Sequence, residues 1–242
     1  MWIACGSYRP SRIFRGLMLS VWLAPVGLAA QSLRDAAPAP ELAMLLGEAR
    51  AALTVAQLAA ATDSINRHIE QAIVAGRRAV RLAPGEAEAH YWLAAALGRR
   101  AQRAGVRAAI RDGSEAYNEA RTVLALDSLH PGAHAIIGRF HEEAVRWPWV
   151  LRAVVASFTG HREVGQASTQ VAEQEYRRAV ALAPGVSVFR HDLGRFLVND
   201  GRLNDAESQW QAMRVLPGSD PVDQWFRHDL RRRIDAAVRL AR

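Results

Sequence analysis

From Glu41 onward, apolar residues recur at three- and four-residue steps, the period of an amphipathic helix. Leu42, Leu45, Leu46, Ala49 and Leu53 mark the first stretch. Ile65, Ile69, Ala72, Ile73 and Ala79 mark the second, with Thr62, Asp63 and Ser64 as candidate N-caps and Pro84 as its stop. Glu86 and Glu88 open a third, favourably placed against the helix dipole, with Tyr91, Trp92, Ala95 and Ala96 as its apolar members. A short glycine-bounded segment, GVRAAIRDG at 105–113, precedes a fourth that carries Ala116, Tyr117, Ala120, Val123 and Leu124. After Pro131-Gly132 a fifth holds Ala133, Ile136, Ile137, Phe140 and Ala144. Residues 145–170 break the alternation. Further helices are expected at 171–183, about 186–199 and 202–215, then from Pro221 to the end through Trp225, Phe226, Leu230, Ile234 and Val238. No stretch alternates with period two, so the expected fold class is all-α.

One stretch is written twice. Residues 77–85 read RRAVRLAPG and residues 177–185 read RRAVALAPG. Each is expected to be a helix tail packed through Ala79 and Leu82, or Ala179 and Leu182, that runs into a Pro-Gly pair unable to continue it. A recurring helix–turn–helix unit is the signature of an α-solenoid. Ala172, Tyr176, Ala179 and Pro184 fit the tetratricopeptide pattern, which wants small residues where paired helices touch, a bulky one between them and a closing proline. Leu193, Gly194 and Leu197 followed by Ala206, Trp210 and Met213 fit the next unit; Ala72, Ala79 and Pro84 fit the first, with Gly76 in place of the bulky residue. Pro131 comes two residues late, so the middle unit is degenerate. The expectation is a tetratricopeptide-like repeat domain of three to four units over 41–242, with an insert at 145–170 and a capping helix at about 221–240.

The amino terminus has a different texture. Arg9, Arg12 and Arg15 precede the apolar run Gly16–Leu28, and small residues follow at Ala29 and Ala30. Basic, apolar and small in that order predicts a cleavable signal peptide over 1–30, then a linker over 31–40, and a periplasmic or secreted protein, membrane-anchored if the segment is retained. Pro25 and the shortness of the run argue against a membrane span. Cys5 is the one cysteine and would leave with the peptide, which excludes a disulfide framework and thiol chemistry. The net charge of +7 first suggests a nucleic-acid partner, but every base is Arg, three lie in the leader, and the rest alternate with Asp and Glu as on a solvated surface. No nucleic-acid partner is expected.

The order of several unusual stretches is more specific than the repeat itself: HYW at 90–92, GVRAAIRDG at 105–113, IIGRF at 136–140, RWPWVLRAVVASF at 146–158 and the second copy at 177–185. Over about residues 65–215 the chain resembles the regulator of microtubule dynamics family of tetratricopeptide-like proteins, as a bacterial, exported relative. The resemblance implies an all-α adaptor without an enzymatic centre. Animal members are linked to microtubules, and one to organelle contact sites where its repeat domain binds phospholipid. An exported chain would not meet microtubules, so the fold and a binding groove are what carry over.

The insert is the best candidate for function. Trp147, Trp149, Val150, Val154 and Phe158 follow helical spacing after a Trp-Pro break, and an apolar helix there would roof a groove for an acyl chain or apolar peptide. Arg139, Arg146 and Arg152 would then face an anionic head group. The competing reading is that the aromatics fill the interior and the arginines are solvated. The expected groove is made of His90, Trp92, Arg139, Phe140, Trp147, Trp149, Val154 and Phe158. His134 and His141 share a helical face, yet no HExxH or Cys/His spacing accompanies them, so neither metal nor cofactor is expected, and His90 reads as a structural histidine. Asp112-Gly113, Asp200-Gly201 and Pro217-Gly218 read as turns. No nucleophile elbow or phosphate loop is present, so the chain is read as non-enzymatic. The first functional expectation is a scaffold binding an unnamed protein partner on its concave face; the alternative is a phospholipid or other apolar ligand under the insert.

Overall fold

The computed structural model describes residues 39–158, 160–218 and 220–240. The signal peptide and most of the linker expected from the sequence lie outside these residues. Helix α1 (Pro40–Leu58) starts on a proline, whose missing N–H costs nothing at a first helical position. It is followed by α2 (Thr62–Leu82), α3 (Ala87–Ala101), α4 (Val106–Leu126) and α5 (Pro131–Val145). The insert forms α6 (Trp149–Phe158) and the single turn α7 (Arg162–Gly165). Then come α8 (Thr169–Leu182), α9 (Ser187–Asn199), α10 (Leu203–Arg214) and α11 (Pro221–Leu240). The described residues contain helices and no strand.

The helices pack as antiparallel pairs: α1 with α2, α3 with α4, α5 with α8, and α9 with α10. The first helices of successive pairs also touch one another, α1 on α3, α3 on α5 and α5 on α9, so they form the inner layer of a tetratricopeptide-like solenoid. Helix α11 packs on α9 and α10 and then reaches back to α1. The last described helix therefore meets the first described one.

Both copies of the repeated motif end the second helix of a pair, and they end it in the same way. Ala83 (φ −139°, ψ 76°) and Ala183 (φ −138°, ψ 69°) break the helix, their N–H groups still bonded to Ala79 and Ala179. The next turn is closed by the N–H of Glu86 on the Ala83 carbonyl at 3.0 Å and by that of Val186 on Ala183 at 3.2 Å. Six residues beyond each proline a side chain donates back to the proline carbonyl, His90 Nε2 to Pro84 at 2.9 Å and Arg190 Nε to Pro184 at 3.0 Å. Ala79 and Ala179 are fully buried, but Leu82 is 46% exposed. It lies past the inter-helix contact and does not pack the tail as expected.

Small residues set the helix separations. A Cβ on Gly76 would lie 3.0 Å from the Leu93 Cα, so α2 and α3 approach too closely for the bulky residue usual at that point. Gly138 of α5 faces the Ala172 carbonyl and the Tyr176 ring, each 3.1 Å from where a Cβ would be. Tyr176 supplies the bulk for both helices there.

Two expectations are corrected here. The segment 105–113 is not a separate element, and Asp112-Gly113 is not a turn: Gly105 is the N-cap of α4 and the rest lies inside that helix. Asp112 is buried and accepts from Arg100 Nε at 2.7 Å, from Arg100 Nη2 at 3.1 Å and from Arg111 Nε at 2.8 Å. Burial alone would raise its pKa, but the two guanidinium groups hold the carboxyl below its ordinary range. Helix α2 starts at Thr62 behind Ala61, with no side-chain cap from Thr62, Asp63 or Ser64. Asp200-Gly201 is a turn, with Gly201 at φ 76°.

Candidate functional site

The inner layer lines a half-open cavity of about 620 Å³, within the usual ~300–1,000 Å³ of small-molecule sites. Helical spacing on the first helices brings its lining together: Leu53 and Gln57 from α1; Tyr91, Trp92, Ala95 and Arg99 from α3; Ile136, Arg139, Phe140 and Glu143 from α5; Phe189 and Asp192 from α9. Ile110 and Gly113 of α4, the Trp147 side chain and Val164 of α7 complete one end. Helix α11 contributes Val222, Trp225 and Phe226 from the opposite side, so it lies across the concave face that an open solenoid would offer to solvent.

Most of the wall is aromatic or aliphatic. Tyr91 and Trp92 meet edge to face at 4.9 Å between centroids, Tyr117 backs Phe140 at 4.5 Å, and Trp225 meets Phe226 at 5.4 Å. Burial, reinforced by the Glu88 and Asp192 charges, pushes the Tyr91 phenol up to about 12, so it stays neutral. The ring of His191, 4.9 Å from Phe226, holds α11 against α9: its Nε2 lies 3.0 Å from Asp229 Oδ2. Arg232 and Arg233 also donate to Asp229, each at 2.5 Å.

The charged groups divide into two kinds. Arg139 is paired, its Nη2 2.5 Å from Asp192 Oδ1 and its Nη1 3.9 Å from Glu143. Burial works against its charge, but Tyr176, Asp192, Glu142 and Glu143 outweigh that and raise its pKa. Arg99 is different. Its Nη1 donates to the neutral amide oxygen of Gln57, and among the described residues no carboxylate lies within ion-pairing distance of it. Burial, and then repulsion from Arg139, lower its pKa. A half-buried guanidinium beside apolar walls, held by a neutral amide, keeps donors that can bond an anion.

A buried network backs the cavity and reaches its wall at Arg195. Arg195 Nη1 donates to Glu142 Oε1 at 2.6 Å, and Nη2 approaches Glu142 Oε2. The Tyr176 hydroxyl donates to the same carboxylate at 2.7 Å and Asn199 Nδ2 at 3.0 Å. These contacts join α5, α8 and α9 where the insert interrupts the repeat. His141 closes the base of the insert, its Nδ1 accepting from the Ser168 N–H at 3.2 Å. His130 caps α5 by accepting from the Ala133 N–H at 3.1 Å, and His134 lies 2.6 Å from Glu175. Among the described residues no group of three or more His, Cys, Asp or Glu is placed to hold a metal ion.

Of the residues expected to form the groove, Trp92, Arg139, Phe140 and Trp147 line this cavity and the others do not. His90, on the same helix as Trp92, turns toward α4, with Nδ1 2.5 Å from Glu119 and Nε2 on the Pro84 carbonyl. Trp149, Val154 and Phe158 lie on the outer side of α6, exposed. The insert is thus not the roof: among its described residues Trp147 and Val164 alone reach the wall, and α11 adds Val222, Trp225 and Phe226. Arg152 is likewise turned away, its Nη1 donating to the Ala167 carbonyl at 2.8 Å. Sequence reasoning missed Gln57, Arg99, Phe189, Asp192 and Trp225. Their one signal was the step Trp92, Ala95, Arg99, which places the arginine on the aromatic face.

The sequence model described as Regulator of microtubule dynamics protein 1-3 matches residues 29–237. No curated protein sequence matches significantly. Among solved structures, a thermophilic tetratricopeptide protein of Thermus thermophilus is 17% identical with a TM-score of 0.49, over 72% of this chain and 78% of that one. The MamA protein is 15% identical with a TM-score of 0.38, over 79% of this chain and 87% of that one.

Proposed function

Because this chain belongs to the regulator of microtubule dynamics family, whose helical-repeat fold is that of a protein-interaction module, we propose that it is a non-enzymatic binding protein whose half-open cavity holds an anionic amphiphile. Phospholipids and fatty acids share the required chemistry, an apolar body with an acidic head. The observation that carries this reading is Arg99, a half-buried cation without a carboxylate partner on an aromatic wall. An anion there would form charge-assisted hydrogen bonds strengthened by the dry surroundings. Native mass spectrometry of the purified protein, before and after adding oleate or phosphatidic acid, tests it. The expected result is a one-to-one complex weakened about 10-fold or more by Arg99→Gln, as the loss of a hydrogen bond to a charged group requires. Neither a co-purified nor an added amphiphile binding would overturn the proposal.

A protein partner is the second reading, favoured by the repeat scaffold itself. Helix α11 supports placing that partner on the outer surfaces, since the concave face retains space for a few side chains and not for a folded domain. Pull-down from envelope extract with the Arg99→Gln variant separates the readings, because a partner on the outer surface would be retained. The proposal places the protein outside the cytosol, on the basic, apolar and small residues at 9–30. Fusion of residues 1–35 to a reporter active only after export should give signal; silence removes the localisation.

A further inference from the structure

Helix α6 is turned inside out relative to an ordinary surface helix. Its sequence, WVLRAVVASF, contains one charge, and that charge is on the inner side: Arg152 donates to the Ala167 carbonyl, and Val155 is the one residue of the helix that is buried. The opposite side carries Trp149, Val150, Leu151, Val154 and Phe158, with Trp149 73% and Phe158 84% exposed. Its principal packing is against the single turn α7, so the helix projects from the solenoid on the link between α5 and α8. A contiguous apolar face of this kind on a folded domain marks an interaction surface.

Charge identifies the occupant. No acidic residue occurs between Glu143 and Glu163. Arginines lie at the two ends of the helix: Arg146 before it, loosely paired with Glu143 at 3.5 Å, and Arg162 after it, next to His161, whose ring lies 3.3 Å from Glu163. An apolar face with a tryptophan, a phenylalanine and a collar of arginine is what an interfacial helix presents to an anionic bilayer. A second copy of the chain fits less well. A ten-residue helix is ~15 Å long, and its face supplies well under the ~800 Å² per partner of a stable interface. Pairing two such helices would also bring like charges together. Lipid needs no matching surface.

We propose that α6 is a membrane-docking element that lies in the headgroup region of anionic bilayers with Trp149, Val154 and Phe158 toward the acyl chains. This is independent of what fills the cavity, which α6 does not line. The test uses the full chain with Cys5→Ser and Val154→Cys, the new thiol carrying an environment-sensitive fluorophore. This probe reports on α6 itself, whatever the amino-terminal segment does. Vesicles of phosphatidylcholine with phosphatidylglycerol should shift its emission to the blue, and lipids brominated on their acyl chains should quench it. Pure phosphatidylcholine should give a clearly smaller change. Arg146→Gln with Arg162→Gln should weaken binding to the anionic vesicles about tenfold or more, following the ~1 kcal/mol that each basic side chain contributes near such a surface. Trp149→Ser with Phe158→Ser should abolish the shift while leaving thermal stability unchanged, because both residues are exposed. An unshifted, unquenched probe with every vesicle composition would overturn the proposal. So would a probe already protected without lipid in a protein that sediments as a dimer, since the occupant would then be a second copy.

Discussion

Replacing Arg195 by methionine should remove the cation at the centre of the buried network and leave Glu142 with Tyr176 and Asn199 as its donors. Glu142 is 4% and Arg195 5% exposed, so little water screens the loss. Breaking a buried pair from one side costs ~3–5 kcal/mol. In a domain of this size each kcal/mol lowers the melting temperature by about 2–4 °C, so Arg195→Met should melt roughly 6–20 °C lower. Adding Glu142→Gln removes the second charge and keeps an acceptor for the Tyr176 hydroxyl, so the double variant should recover most of the loss. The pH dependence separates charge from packing. In the parent protein burial raises the Glu142 pKa, but hydrogen bonds and charges from Arg195 and Arg139 outweigh it and the net shift is downward. A depressed pKa contributes stability that is present above the unfolded value, ~4.3, and lost as pH falls through the folded one. Without Arg195 burial dominates, the folded pKa rises above the unfolded one, and the single variant should regain stability relative to the parent as pH falls from about 7 toward 5. Circular-dichroism melts of the three proteins across this range are the assay. A double variant as unstable as the single one, or a single variant within about 1 kcal/mol of the parent, would refute the reasoning.

Gly76→Val should push the new side chain into the Leu93 backbone and cost ~1–3 kcal/mol, read as a lower urea midpoint with an unchanged slope. Asp112→Asn should cost ~1–3 kcal/mol by weakening the bonds to Arg100 and Arg111, a loss that a true surface turn would not show in the same titration. Burial would raise the carboxyls of Asp192 and Asp229, yet Arg139 holds the first, and His191 with Arg233 the second, well below the ordinary range. Their contribution is present above the unfolded pKa of ~3.9 and lost as pH falls below it, so thermal stability should drop steeply under about pH 4. Asp229→Asn should make that acid slope shallower, measured by the same melts.

The inner helices were legible in the sequence because their apolar period is local information, and the duplicated RRAVxLAPG predicted two identical helix ends. What failed depended on groups far apart in the chain. Asp112-Gly113 has turn propensity, but a carboxylate facing Arg100 from the next helix overrides it. Composition marked 146–158 as apolar without saying which side would face inward, and Arg152 takes the inner side by reaching the Ala167 carbonyl. His130 is an N-cap that falls outside the usual capping residues. In α11 two apolar sets serve two purposes: Leu230 and Ile234 join the core under α9 and α10, while Trp225 and Phe226 turn toward the cavity. The capping reading accounts for the first set alone.

The return of α11 to α1 has a kinetic meaning. In an open solenoid the terminal repeats fray first, because each has a neighbour on one side only. Here the first and last described helices touch each other, so neither is left with a neighbour on one side only, and both line the cavity. Amide exchange should therefore lack the gradient toward the termini that linear repeat arrays show. Because α11 lines the half-open cavity, loosening its contact with α1 would widen the mouth, so the residence time of anything bound there depends on that contact as well as on those inside.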